Sequence, residues 1–316
     1  MDRIRVVALL SAAAVALGGL AQADVETSGR SSDVAAMSAE QLAHHFESDL
    51  SSCAPHAPGD VVVACSDFLK LIDGLSRCTT RPCLALANAI HRDFTGARER
   101  ALNNRGGAYQ DKGELEAAIA DFTAAIALNP SEPAHYNNRA GAFLAQKRFS
   151  DAIDDETKAI ALKASDPIYY HSRGIAYQGL GRNDEAIADF SKAIDLKPGY
   201  FSCLKDRGVS YDHSGAYEKA EADYTAAIAA NPTYAFAYGD RGLTDIHLGK
   251  FDQAVQDETQ AISLMPNAAP PLIFRGLAYE AKGLKDLAIA DFRAALELDP
   301  TSQDAQEQLR ELGAQP

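Results

Sequence analysis

The chain has 316 residues, 47% of them hydrophobic, and its 44 acidic and 30 basic side chains leave a formal charge of −14. Such an apolar share is ample for a continuous core, while an acidic surface without any basic run argues against nucleic acid, whose phosphates demand clustered Lys and Arg. A diffuse negative charge keeps a protein soluble and favours basic partners only weakly.

MDRIRVVALLSAAAVALGGLAQA opens the chain with a charged start, an apolar run from Val6 to about Leu20, and the small-x-small site Ala21-Gln22-Ala23. These features predict a signal peptide over residues 1 to 23, cleaved after Ala23, and hence an exported chain, periplasmic or secreted. A membrane anchor is the weaker reading, because Gly18 and Gly19 interrupt a run already shorter than the roughly 20 residues a spanning helix needs. Residues 24 to 32 are polar and are predicted to form a disordered linker, whereas SAEQLAHHFESDL, from Ser38 to Leu50, has the acid and alanine content of a short helix.

Cys53, Cys65, Cys78 and Cys83 come next, an even count that in an exported chain predicts two disulfides. Zinc is the rival, but the spacings C-x11-C and C-x4-C lack the paired short knuckles of a four-cysteine site. Of the three connectivities, the preferred one joins Cys53 to Cys65, tying the loop CAPHAPGD to a helix DVVVACSDFLKLIDG. It also joins Cys78 to Cys83, stapling CTTRPC ahead of the following helix.

From residue 99 the sequence repeats with a period of 34, in units 99 to 132, 133 to 166, 167 to 200, 201 to 234, 235 to 268 and 269 to 302. A fixed period of this length signals stacked helical hairpins, because one hairpin cannot bury its own apolar face and needs its neighbours to complete the core. Numbering each unit from 1 to 34, position 8 is Gly106, Ala140, Gly174, Gly208, Gly242 and Gly276, and positions 20 and 27 are alanine in every unit. Small residues there are expected to let two helices approach closely. Position 11 is aromatic except for Asp245 in repeat 5, so that large and small side chains interdigitate. Glycine at position 15 suits a left-handed helix end and proline at position 32 stops the second helix; repeat 2 departs at both, with Lys147 and Ala164.

This pattern resembles the tetratricopeptide repeat family over about two thirds of the chain. The resemblance implies an all-α, right-handed α-solenoid of six helix-turn-helix repeats, whose first helices line a concave groove, in a family that usually binds peptides or proteins. Residues 52 to 74 also resemble a degenerate half-repeat of the kind seen ahead of secreted arrays of this family, so residues 33 to 98 are read as an N-terminal helical cap. Residues 303 to 316 supply a polar C-terminal capping helix and tail, which a solenoid needs to cover its exposed end.

Position 7 carries a large apolar residue in that family, yet here it is arginine in every unit, and position 23 is always aspartate. The pairs are Arg105 and Asp121, Arg139 and Asp155, Arg173 and Asp189, Arg207 and Asp223, Arg241 and Asp257, Arg275 and Asp291. This one-to-one count predicts structural ion pairs between helices of the same or neighbouring units, which fix register more than they add stability. An arginine ladder for phosphate or carboxylate ligands is the disfavoured alternative.

The family's groove-lining positions 2, 5, 9, 12 and 13 place Asn103, Asn137, His171 and Lys205 on the binding face, with Phe236, Leu243, Ile246, Ile273 and Leu277 as its apolar end. The competing reading is that these apolar residues only pack against neighbouring helices. Resemblance to the carboxylate-clamp subgroup fails, because Asn103 and Gly107 stand where it has lysine and asparagine. Repeat 5 is unusual, since Asp245 and Glu258 occupy two positions that are apolar in most units. Two carboxylates between helices are costly unless cations sit beside them, so a polar cluster with Arg241 and Arg275 is expected, either structural or as an anchor for a basic or amide group of a peptide.

No P-loop, G-x-S-x-G, H-E-x-x-H or dinucleotide fingerprint occurs. His44 and His45 adjoin and point to different faces of a helix, and Cys203 is the unpaired cysteine, a small apolar filler or the donor of an intermolecular disulfide. The sequence therefore predicts a non-enzymatic scaffold without cofactor or metal, binding a protein or extended peptide in its groove. The alternative is a homo-oligomeric envelope spacer without a dedicated peptide ligand.

Overall fold

The computed structural model describes Cys53, residues 60 to 76 and residues 81 to 315. The expected leader, the polar linker, the helix from Ser38 to Leu50 with His44 and His45, and Cys78 lie outside these residues, as does the side chain of Cys83 and with it the second expected disulfide. The chain divides into two compact units, one ending at Leu162 and the other beginning at Lys163. All regular structure among the described residues is α-helical, as the period requires.

The first unit holds α1 (Val61–Ser76), α2 (Arg81–Asp111), α3 (Leu115–Leu128), α4 (Pro133–Ala145) and α5 (Phe149–Leu162), each packed on its neighbour in the chain. Helix α2 runs for 31 residues, so the expected start of the array at residue 99 falls inside one element. The reason is local: TGARER, residues 95 to 100, contains one glycine and no proline, and nothing stops the helix from propagating. Helix α1 is tied to α2 through Cys53, which is disulfide-bonded to Cys65 of α1 and whose carbonyl accepts from Asn104 Nδ2 of α2 at 2.9 Å, and by the Lys112 to Asp60 ion pair at 2.8 Å beside their ends. Beneath them Leu69, Ala97, Ala101 and Leu102 form a buried cluster with both cysteines.

The second unit holds α6 (Pro167–Gly179), α7 (Asn183–Leu196), α8 (Phe201–His213), α9 (Tyr217–Ala230), α10 (Ala235–His247), α11 (Phe251–Leu264), α12 (Ala269–Ala281), α13 (Lys285–Leu298) and α14 (Gln303–Glu311). Here too each helix packs on the next, and the first helices α8, α10 and α12 of successive repeats also touch. The final helix α14 turns Ala305 and Leu309 onto Ala288, Phe292 and Ala295, covering the apolar end of the last hairpin while its other side chains stay in water.

The turn inside each hairpin depends on a left-handed residue. Gly113, Gly181, Gly215, Gly249 and Gly283 have φ between 71° and 77°, and Lys147 of repeat 2 is driven to the same region at φ 59°. It makes the same closing bonds, since Lys147 N donates to Leu144 O at 2.9 Å and Arg148 N to Phe143 O at 2.8 Å. The repeat geometry overrides the side chain, at a cost of about 1 kcal/mol for a residue with a Cβ. Lys147→Gly is accordingly expected to stabilise the chain by about 0.5 to 1 kcal/mol, and an unchanged midpoint in chemical denaturation would count against this strain.

Alanines at positions 20 and 27 are fully buried in all six repeats. Position 8 has a more particular task than helix approach. A Cβ on Gly174 would lie 2.5 Å from the Phe190 ring, and the same holds at 2.6 Å for Gly208 against Tyr224 and for Gly276 against Phe292. Glycine there seats the aromatic ring of position 24 flat against the first helix, so packing between the two helices is set by a ring rather than by backbone contact. Repeats 2 and 5 have no such ring: position 24 is Glu156 or Glu258.

Candidate functional site

Every arginine of position 7 lies on a first helix and reaches the second helix of its own unit. Nε and Nη2 each donate to one oxygen of the position 23 aspartate at 2.6 to 2.8 Å, in all six repeats. The aspartates are buried and the arginines about one-fifth exposed, a bidentate geometry that raises the arginine pKa against the opposing effect of burial. Nη1 finds a third partner, the hydroxyl at position 25 of the preceding repeat. Arg139 donates to Thr123, Arg207 to Ser191 and Arg241 to Thr225 at 2.9 Å, and Arg275 to Thr259 at 3.2 Å, while Arg105 uses Ser66 of α1 at 3.1 Å. The hydroxyls of Ser66, Ser191 and Thr259 spend their own proton on the carbonyl four residues back, leaving a lone pair for the guanidinium.

Sequence reasoning missed this third partner, although its signal is present: position 25 is Thr123, Thr157, Ser191, Thr225 and Thr259 before the series ends at Arg293. Arg293 itself donates to the Gln315 carbonyl at 3.0 Å. Five position 7 arginines also stand about 5.8 to 5.9 Å from the position 11 ring of their own helix, a contact that Asp245 removes in repeat 5. With three of five guanidinium donors used inside the fold, the ladder is a clamp between helices.

The expected groove residues separate into two groups. Asn103 in the first unit, and His171 and Lys205 in the second, make a polar row within each unit between position 5 and position 6 of the following repeat. Asn103 Oδ1 accepts from Asn138 Nδ2 at 2.8 Å, His171 Nε2 lies 2.7 Å from Asp206, and Lys205 Nζ lies 3.1 Å from Asp206 and 4.0 Å from Asp240. His171 Nδ1 meets the Tyr200 hydroxyl at 3.1 Å, and Asp206 stays below the ordinary carboxylate range because His171 and Lys205 outweigh its burial. Asn137 departs from this row: its Nδ2 donates to Glu156 Oε1 at 2.6 Å, so it serves a buried carboxylate of its own repeat.

The apolar end is smaller than expected. Phe236 is 58% exposed, and Leu243 and Ile246 are half-buried on the same helix, α10. Ile273 is instead buried, and Leu277 packs against the same core of the last hairpin, because α12 is apolar on several sides and packs on both α11 and α13. Those two belong to the packing alternative. Phe236 continues an aromatic row through Tyr234 to Phe201, with ring centroids 5.9 and 5.0 Å apart.

Repeat 5 differs most from its expectation. Arg241 and Arg275 do not pair with Asp245 or Glu258, since both are committed to their own ladder aspartates. Glu258 is fully buried and neither of its oxygens has a hydrogen-bond partner. Burial pushes its carboxyl up to about 9, Asp257 and Asp240 add to the rise, and only Arg275 opposes it. Asp245 is also buried, with Oδ1 unpartnered, and rises to about 6 through burial with help from Glu221 and Asp257, against Lys250 and Arg241. The arginines act on these carboxyls through space only, because the Nε and Nη2 edge of each fork is held by its ladder aspartate and Nη1 by a hydroxyl. Cys203 is buried and its thiol is pushed up to about 12, which suits the apolar filler and not an exposed intermolecular disulfide. Among the described residues no group of ligating side chains could hold a metal ion, and no helix is long and apolar enough to cross a membrane.

Family models described as tetratricopeptide repeat match residues 103–167, 167–200 and 269–302. Residues 103–200 and 269–302 are tetratricopeptide repeats. Two of the matched segments coincide with single units of the period, repeats 3 and 6. Among solved structures, this tetratricopeptide array is similar to PilW, described as a widely conserved type IV pilus biogenesis factor, at 20% identity and TM-score 0.62, over 67% of this chain and 98% of that one. It is similar to pilF of Pseudomonas aeruginosa at 17% identity and TM-score 0.60, over 70% and 99%. YrrB, described as a TPR protein with an unusual peptide-binding site, aligns at 21% identity and TM-score 0.51, over 60% and 97%. At such identities the likeness is one of fold. No curated protein matches the sequence.

Proposed function

We propose that this tetratricopeptide array is an exported, non-enzymatic scaffold that binds a protein or extended peptide along the first helices of its second unit. The observation that carries the reading is the strip Phe236, Gly239, Leu243 and Ile246, which the spacing i, i+3, i+7, i+10 sets on one face of α10, with Phe236 largely in water. The peptide-binding site named for YrrB and the cleavable leader read from residues 1 to 23 support it. Polar side chains beside the strip, Lys205, Asp206 and Asp240, provide donors and acceptors for an extended backbone.

Expression of the full chain with its own leader and a C-terminal tag tests both halves of the proposal. The protein recovered from the envelope fraction should begin at Asp24, and a partner cross-linked to it should be lost in Phe236→Asp and in Leu243→Asp. Phe236 contributes little to the core, so its loss of binding would not reflect unfolding. A partner retained by both variants would overturn the groove, and capture of a second copy of the chain alone would favour the oligomeric spacer.

A further inference from the structure

Repeats 2 and 5 both put a fully buried glutamate where the other repeats put a ring. In repeat 2 position 5 serves it: Asn137 Nδ2 donates to Glu156 Oε1 at 2.6 Å. Position 5 of repeat 5 is Gly239. A Cβ built there would meet only Glu258 Oε2, at 3.8 Å, and nothing else within 4 Å. Position 5 of repeat 5 thus lacks the side chain that repeat 2 supplies, and behind that gap lies a carboxyl group that is buried and has no partner. Next to it, Asp240 Oδ2 is also buried without a hydrogen bond, its nearest cation being Lys205 Nζ at 4.0 Å.

We propose that this gap between Gly239, Asp240 and Glu258, closed to water while it is empty, is a subsite for a primary ammonium group, the head of a lysine side chain on the bound segment. The inference rests on the groove reading above, and it names one chemical feature of the occupant. An unpartnered oxygen on each of two neighbouring carboxyl groups calls for a group with several donors and no acceptor, and an ammonium has three donors. What repeat 5 lacks relative to repeat 2 is one carboxamide, which an ammonium and its last methylene replace more closely than a planar guanidinium fork does. Phe236 and Leu243 lie about one turn to either side of Gly239 on α10, where the methylenes of a lysine can rest while its head reaches the carboxyls. The empty site holds Glu258 as the acid, and an entering cation favours the carboxylate, so binding releases a proton.

The full chain, n-butylammonium as a stand-in for the lysine side chain, and the side-chain carboxyl NMR resonances of Asp240 and Glu258 provide the test. A saturable shift is expected with n-butylammonium and not with tetramethylammonium at equal ionic strength, since the latter has no donor. Gly239→Asn copies repeat 2 into repeat 5 and should weaken n-butylammonium by about tenfold or more, the worth of one hydrogen bond to a charged group. Glu258→Gln, read through Asp240, should lose a similar factor, and it keeps the test decisive if Gly239→Asn does not fold. No saturable shift, or an affinity untouched by either substitution, would overturn the subsite. If the cross-linked partner survives Gly239→Asn but is lost in Phe236→Asp, the subsite falls and the groove stands; a partner indifferent to Phe236→Asp removes the groove itself.

Discussion

Arg207→Met is expected to lower the stability of the chain by about 2 to 4 kcal/mol, the range for breaking a shielded ion pair by removing one partner, reduced because the guanidinium is one-fifth exposed. The substitution keeps most of the volume and deletes three bonds at once: two to Asp223 at 2.7 Å and one to Ser191 at 2.9 Å. Most of the loss comes from Asp223, which is left buried and charged with its principal partner gone. Asp223→Leu added to Arg207→Met should therefore recover part of the loss, and urea denaturation of the single and double variants should give a coupling above about 1 kcal/mol. A change within about 0.5 kcal/mol for Arg207→Met would mean that water screens the ladder and that register is set by packing alone. Arg173→Met removes the equivalent pair with Asp189 and should fall in the same range.

A second large effect is expected in the dependence of stability on pH. The Glu258 carboxyl is raised from an ordinary 4.5 to about 9 in the fold, chiefly by burial, so between those values the folded chain holds a proton that the unfolded chain has released. The unfolded state binds fewer protons there, and stability must fall as pH rises, by as much as about 1.4 kcal/mol per pH unit from this one group. The contribution is fully present below about 4.5 and is gone above about 9. Asp240 and Asp245, each raised to about 6 mainly by burial, act with the same sign between about pH 4 and 6. Asp206 and Asp166, held below the ordinary value by their partners, oppose this trend only under more acidic conditions. Urea denaturation from about pH 7 to pH 9 separates Glu258 from both aspartates, which have titrated for the most part by then. Glu258→Gln should flatten the slope in that window, and a wild-type slope already flat would show that the buried carboxyl finds a partner or water in solution.

The sequence by itself determined the parts of this protein that depend on neighbours along the chain. The 34-residue period, the hairpin turns at Gly113, Gly181, Gly215, Gly249 and Gly283, and the ends of the second helices follow from backbone preferences that act within a few residues. The match of arginine at position 7 to aspartate at position 23 was legible because a repeat displays the same pair six times, which turns a contact 16 residues apart into a pattern. What the tertiary structure decided are contacts whose partners are set by how helices stack. The hydroxyls of position 25 serve the arginine of the following repeat, so their role cannot be read within one unit. The position 8 glycines Gly106, Gly174, Gly208 and Gly276 yield to a ring, and Gly242 to the Glu258 carboxyl, a matter of the distance between two helices that no local preference encodes. Ile273 is buried and Leu277 packs on the same core because α12 lies between α11 and α13, and hydrophobicity alone does not distinguish a buried residue from a lining one. In repeat 5 the sequence displayed the acidic residues but assigned them the wrong cations. Arg241 and Arg275 had forks already occupied by closer aspartates, and bidentate geometry at 2.7 to 2.8 Å prevails over charge at a distance, which leaves Glu258 alone behind Gly239.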